Sequence, residues 1–338
     1  MMNQPKRILV IKLSSLGDVF HALPAVNNLK VALGAEVDWV TQPEYVELVR
    51  CFPVVSRVIV FPRRSFWSEA GHFLHALRET QYDYVIDFQG LLKSALVARF
   101  ARGRKKLGPS FHREGAGLFY DDVAASRDKN RHAVEENLDV VRFLGLPVIP
   151  VAFPVTIMPK PVIQPEPRVA IVPVSRRANK NWPLSYFTET ARQLRTELNA
   201  SIFLFGGATD RMTCEQIRGE LESTRGNGLI RNLAGETSLV EMGAWFKQMN
   251  LAIVNDSGPL HMAVALGVPV VTMFGPTDPV RTGPYGPQHV VCISDVACRP
   301  CFGKVCPLPS VECMGRIEVS KVVEASKAIL NRNSCPRE

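Results

Sequence analysis

The chain has 338 residues, of which 46% are hydrophobic and 21% charged; this excludes a disordered or fibrous protein and, at this length, favours two cores over one. Lys and Arg number 40 against 32 Asp and Glu, and the net charge of +8 points to an anionic partner or surface. The first apolar run, Ile8 to Leu13, is broken by Lys12 and is too short for a signal peptide or a membrane span, so the expectation is a cytoplasmic protein. Ile8 to Leu13 reads as a strand, Ser14 to Asp18 as a turn, and the segment from Val19 onward as a helix holding Ala22, Leu23, Ala25, Val26 and Leu29. Further strands are predicted at Glu36 to Val40, Val58 to Phe61 and Tyr84 to Phe88. Helices near Glu44 to Cys51, Glu69 to Glu79 and Gly90 to Ala101 alternate with them, and His132 to Leu144 is another. Alternation of this kind builds a parallel sheet.

From Arg99 to Arg113 the chain carries Arg99, Arg102, Arg104, Lys105, Lys106 and Arg113 with no acidic residue between them. A solvated face is the ordinary reading of such a run; the lack of compensating acids tips it toward a surface for phosphates or acidic sugars. Nucleic acid is not expected, because no nucleic-acid motif occurs. Met158 to Pro167 then holds four prolines in ten residues and reads as a linker. It separates a domain at 1–157 from one at 168–318, and the helix and tail at 319–338 are expected to reach back to the first domain.

The second domain repeats the alternation. Strands are predicted at Arg168 to Val174, Ser201 to Phe205, Leu229 to Asn232, Leu251 to Val254 and Val270 to Phe274. Polar loops follow the first two, at Ser175 to Trp182 and Gly206 to Asp210. Asn255, Asp256, Ser257 and Gly258 mark a strand end and a helix start, where ligands sit in open α/β sheets and where phosphate is attracted. A capped turn in an ordinary βαβ unit is the competing reading. Two doubly wound domains of this kind would face across a cleft. There is no G-x-G-x-x-G, Walker, H-E-x-x-H or G-x-S-x-G motif, so the chemistry lies elsewhere.

Asp18, after Ser15 and Gly17 at the end of the first strand, is either a helix cap or a general base for a substrate hydroxyl. Cys298, Cys301, Cys306 and Cys313 form a C-x2-C-x4-C-x6-C cluster. Reduced thiols are the leading reading there and a structural metal the alternative.

Four stretches together carry a resemblance. ILVIKLSSLGDVFHALPAV, VIDFQGLLKSALVAR, NKNWP and NDSGPLHMAVALGVPVVTMFGPTDP occur in order along nearly the whole chain. They resemble the bacterial ADP-heptose:lipopolysaccharide heptosyltransferases of glycosyltransferase family 9, and SSLGDVFHALP is most similar to the type I enzymes. The cysteine cluster departs from the best-known type I members.

The resemblance implies a GT-B fold with an acceptor-binding first domain and a second domain for ADP-heptose. It implies an inverting transfer of L-glycero-D-manno-heptose to the Kdo of the inner core. Asp18 matches the family's catalytic aspartate, and Lys180 the lysine at the donor phosphates. Ser175, Asp210, Asp256, Ser257, Gly258, His261, Thr277 and Asp278 fall to the donor side. Ser15, Gly17, Arg63, Arg64, Lys93 and Arg113 fall to an acceptor such as Kdo-lipid A. Asp87 and Gln89 either join that site or merely close a strand, and Trp182 is expected as an anchor rather than a stacking platform. No D-x-D element stands at a strand end, consistent with catalysis that needs no metal or other cofactor. A peripheral position on the cytoplasmic surface of the inner membrane follows from the acceptor. A type II enzyme, another family 9 transferase, a sugar-nucleotide epimerase or hydrolase on the same fold, and a non-catalytic nucleotide-binding protein are the alternatives.

Overall fold

A computed structural model describes residues 5–223 and 228–334, and the chain divides into two compact units, Met1–Thr156 and Ile157–Glu338. In the first unit the strands β1 (Arg7–Ile11), β2 (Glu36–Thr41), β3 (Arg57–Val60), β4 (Tyr82–Asp87), β5 (Gly103–Gly108) and β6 (Asp122–Val123) form one sheet. Its order is β3-β2-β1-β4-β5-β6. In the second unit β7 (Arg168–Val172), β8 (Ser201–Leu204), β9 (Ile230–Asn232), β10 (Leu251–Asn255), β11 (Val270–Phe274) and β12 (Val290–Ile293) take the order β12-β11-β10-β7-β8-β9. Counted from its own first strand, each sheet has the doubly wound order 3-2-1-4-5-6, and every strand pair is parallel. The chain reverses direction across the sheet between β1 and β4, and again between β7 and β10. A doubly wound sheet opens its crevice at such reversals.

Parallel strands covered by helices on both faces need apolar residues at consecutive positions rather than at alternate ones. Ile8 to Ile11 and Leu251 to Val254 meet that requirement and are fully buried. Val10 stands opposite Trp39 on one side and Ile86 on the other, and Ile253 stands between Ile171 and Val271. Each such aliphatic side chain contributes about 1.5–3 kcal/mol on leaving water.

Three strands depart from the sequence reading. β5 lies inside the basic run that was expected as a surface, and β6 and β12 were not anticipated. The acids that compensate the run are distant in sequence: Lys105 pairs with Asp122 at 3.0 Å, and Arg104 approaches Asp83 at 3.6 Å. Gly108 in β5 is needed for close approach, since a Cβ there would stand 2.0 Å from the Tyr120 ring.

The helix after β1 begins at Leu16, so Asp18 is in its first turn rather than before it. The proline-rich segment groups with the second unit, where Lys160 N donates to the Ala244 carbonyl at 3.0 Å. The C-terminal helix Val319–Ser334, expected on the first domain, buries Val322, Ile329 and Leu330 in the second unit's core with Ala191 and Leu194 of the helix Leu184–Leu198. Its apolar stripe is used there. Cys335 lies outside the described residues. No described helix is long and apolar enough to cross a membrane.

Candidate functional site

Both strand reversals gather polar groups. At the first, β1 runs out into Lys12, Leu13, Ser14 and Ser15. Ser15 is the N-cap of the helix Leu16–Leu33, and Asp18 Oδ2 accepts from Ser15 N at 3.0 Å and from Ser15 Oγ at 2.8 Å. This fixes the carboxylate at the positive end of an 18-residue helix, where negative charge is favoured. Gly17 is buried in the same turn. Gln89, past the end of β4, holds the loop open: its Oε1 accepts from Leu13 N at 3.1 Å and Ser14 N at 3.0 Å.

Lys12 interrupts the first apolar run of the sequence, and its side chain is buried in this region. Its Nζ donates to the Phe88 carbonyl at 2.7 Å. Burial pushes its pKa down, and the fields of Asp18 and Asp87 push it back up. Asp87 is buried at the end of β4. Its Oδ1 accepts from Gln89 N at 2.7 Å, and its Oδ2 from the Tyr120 hydroxyl at 2.7 Å. Burial raises its pKa, against those donors. Asp87 and Gln89 therefore set the shape of the loop that carries Ser15.

The four basic residues proposed for an acceptor are all on loops or a helix start of the first unit. Arg63 and Lys93 border one pocket of about 610 Å³. Arg64 and Arg113 are exposed, and Arg113 N donates to the Gly90 carbonyl at 2.8 Å.

The second reversal is more tightly knit. Asn255, fully buried at the end of β10, donates from Nδ2 to the Pro173 carbonyl at 2.8 Å and accepts at Oδ1 from Trp182 N at 3.0 Å. It thereby ties both ends of the loop after β7. Asn181 Oδ1 does the same inside the loop, accepting from Ser175 N at 2.8 Å and lying 2.7 Å from Ser175 Oγ. Trp182 is buried and its Nε1 donates to the Ile317 carbonyl at 2.9 Å, so it anchors the helix that follows.

That loop presents Lys180. Its Nζ lies 2.5 Å from Asp256 Oδ2, the oxygen to which Thr277 Oγ1 donates at 2.6 Å. Ser257 and Gly258 open the helix Gly258–Ala265 beside this pair. Pro259 has no N–H, and Ser257 Oγ is buried with no hydrogen-bond partner among the described residues. His261 is buried in that helix. A cation, a hydroxyl and a helix N-terminus at one strand reversal are the elements of an anion site.

Other donor-side expectations are placed differently. Asp210 Oδ2 accepts from Gly207 N at 2.8 Å and caps the short turn Ala208–Asp210, and Asp278 caps the turn Pro279–Thr282 through Val280 N at 2.9 Å. Among the cysteines Cys298 and Cys301 are exposed, Cys306 is half-buried and Cys313 is buried. Burial raises the Cys313 thiol, and the other three cysteines add to the rise. Among the described residues no three His, Cys, Asp or Glu side chains are gathered as metal ligands would be. The cysteine loop has another connection that the sequence did not reveal. The Gly303 carbonyl accepts from Asn179 Nδ2 at 2.9 Å and from Arg177, bracing the loop that holds Lys180.

Residues 71–312 match the family model described as glycosyltransferase family 9 (heptosyltransferase). Over 328 residues the chain is 29% identical to lipopolysaccharide heptosyltransferase 1 of Pseudomonas aeruginosa, covering 90% of this chain and 89% of that protein. It is 31% identical over 323 residues to the Escherichia coli K12 protein of the same name, covering 85% of this chain and 93% of that one. Among solved structures it is similar to E. coli heptosyltransferase WaaC with ADP, with a TM-score of 0.79 and 26% identity over 96% of this chain and 99% of that one. The chain belongs to glycosyltransferase family 9, the heptosyltransferase family, and is a glycosyltransferase of the GT-B fold.

Proposed function

We propose that this enzyme transfers L-glycero-D-manno-heptose from ADP-heptose to the Kdo of the lipopolysaccharide inner core, with inversion and with Asp18 as general base. The observation that carries the reading is the Lys180 ammonium fixed by Asp256 beside the helix end at Ser257 and Gly258, a ready partner for a departing diphosphate. The acceptor hydroxyl attacks the anomeric carbon of the donor and the bond from that carbon to the ADP oxygen breaks. The hydroxyl proton passes to the Asp18 carboxylate, and ADP leaves with its added charge facing Lys180. The positive charge comes from the protein, so the reaction needs no metal. Arg63, Arg64, Lys93 and Arg113 meet the carboxylates and phosphates of Kdo-lipid A, which places the enzyme at the cytoplasmic face of the inner membrane.

Incubation with ADP-heptose and a panel of truncated core acceptors, read by mass spectrometry, tests this reading. A heptosylated product with Kdo-lipid A is expected. Product only with an acceptor that already carries heptose assigns the type II reaction instead. Consumption of ADP-heptose without acceptor assigns an epimerase or hydrolase.

A further inference from the structure

The pocket bordered by Arg63 and Lys93 has a chemistry of its own. It lies between the helices Phe66–Arg78 and Leu92–Phe100 in the first unit and holds about 610 Å³, within the usual range for small-ligand sites. Phe66, Phe73 and Leu77 line it from one helix, and Leu96 and Phe100 from the other. The pocket is not a flaw in the core: Leu96 and Phe100 are exposed, so it opens to solvent. Trp67, 93% exposed, stands edge-on to Phe66 with ring centroids 5.8 Å apart. Trp67 is not part of the pocket's lining, but through Phe66 it is in ring contact with the pocket's wall.

We propose that this pocket takes one acyl chain of an anionic lipid, with the headgroup held by Arg63 and Lys93. The two charged side chains bordering it are both cations, which matches an apolar chain with a negative head. A peptide is disfavoured. The two helices have satisfied their own backbone groups, so a peptide backbone laid between them would lose its hydrogen bonds to water without replacement. The inference rests on the proposed reading only in making the acceptor lipid the natural source of that chain, and the test uses no donor or acceptor.

Octyl, decyl and dodecyl phosphate, each kept below its micelle-forming concentration, are titrated into the full chain while Trp67 fluorescence is followed. The other three tryptophans, Trp39, Trp182 and Trp245, are buried, so the change reports Trp67, whose ring meets Phe66 of the pocket wall. Affinity is expected to rise about fourfold per methylene, roughly 250-fold from octyl to dodecyl. Dodecyl trimethylammonium is expected to bind at least tenfold more weakly than dodecyl phosphate. Ala70→Phe, which fills the pocket from the first helix, is expected to cut dodecyl phosphate affinity at least tenfold with ADP affinity retained. Leu96→Asp on the exposed wall serves the same purpose should Ala70→Phe not fold. Affinity independent of chain length and equal to that of inorganic phosphate would overturn the proposal, leaving only a cationic surface. So would undiminished binding by the folded variants, or equal binding of the cationic amphiphile. None of these outcomes bears on heptosyl transfer, which the acceptor panel tests separately.

Discussion

Lys180 and Asp256 are 76 residues apart in sequence and 2.5 Å apart in space, and Thr277 donates to the same carboxylate oxygen. In an anion site a buried carboxylate makes sense as the group that aims a lysine. Lys180→Ala is expected to weaken ADP binding roughly tenfold to a hundredfold, the loss of a hydrogen bond to a charged group. Lys180→Arg should recover part of that, since charge matters here more than fork geometry. Asp256→Asn should behave differently. Removal of a negative charge leaves ADP affinity equal or higher, while kcat falls about tenfold because Lys180 is no longer held in place. Calorimetric ADP binding beside steady-state kinetics separates the two effects.

Asn255 closes the loop that presents Lys180. Asn255→Ala would leave the Pro173 carbonyl and the Trp182 N–H without their partner, and is expected to cost about 2–4 kcal/mol of stability. Urea unfolding followed through the buried Trp182 measures it. A loss under about 0.5 kcal/mol would show that Asn181 and the bracing by Gly303 hold the loop without Asn255.

The doubly wound class was legible because Ile8 to Ile11 and Leu251 to Val254 are continuous apolar runs ending in small polar residues, a purely local pattern. β5 was not legible, because Gly103-Arg-Lys-Lys-Leu-Gly has neither an apolar run nor alternation; it is a strand by virtue of its place between β4 and β6 and of acids such as Asp122 elsewhere in the chain. In the candidate site, Asp18, Ser257 and Gly258 announce themselves at a strand end. Lys12, Asn255 and the bracing by Gly303 do not, because their meaning depends on residues tens of positions away. Nor does anything local to Asp256 show that its Oδ2 is shared by Lys180 and Thr277.

Lys12 gives a pH prediction. A cation near Asp18 and Asp87 favours the ionised carboxylates. Lys12→Met removes that field, so the pKa of the Asp18 base should rise. A base must be ionised to act, so the acid limb of the kcat/KM profile should move to higher pH, with activity lost first on the acid side. An unmoved limb would separate Lys12 from the base.

Arg63, Arg64, Lys93 and Arg113 should differ from Lys105, which is already paired with Asp122, and from Lys106 on the same strand. Neutralising any of the four is expected to raise KM for a deacylated anionic acceptor about tenfold and to spare ADP binding. Changes at Lys105 or Lys106 should matter only for membrane-borne acceptor and should fade at high salt. Equal effects from both sets, vanishing together with salt, would leave only non-specific attraction.

The account stands most directly on Asp18. Asp18→Asn keeps the side chain's shape and its acceptor toward Ser15 but removes its basicity. Transfer from ADP-heptose to Kdo-lipid A, measured for both proteins beside their affinity for ADP-heptose, decides the matter. The account predicts a fall in kcat of roughly two to four orders of magnitude, with donor affinity unchanged. Comparable turnover by the asparagine variant would contradict it.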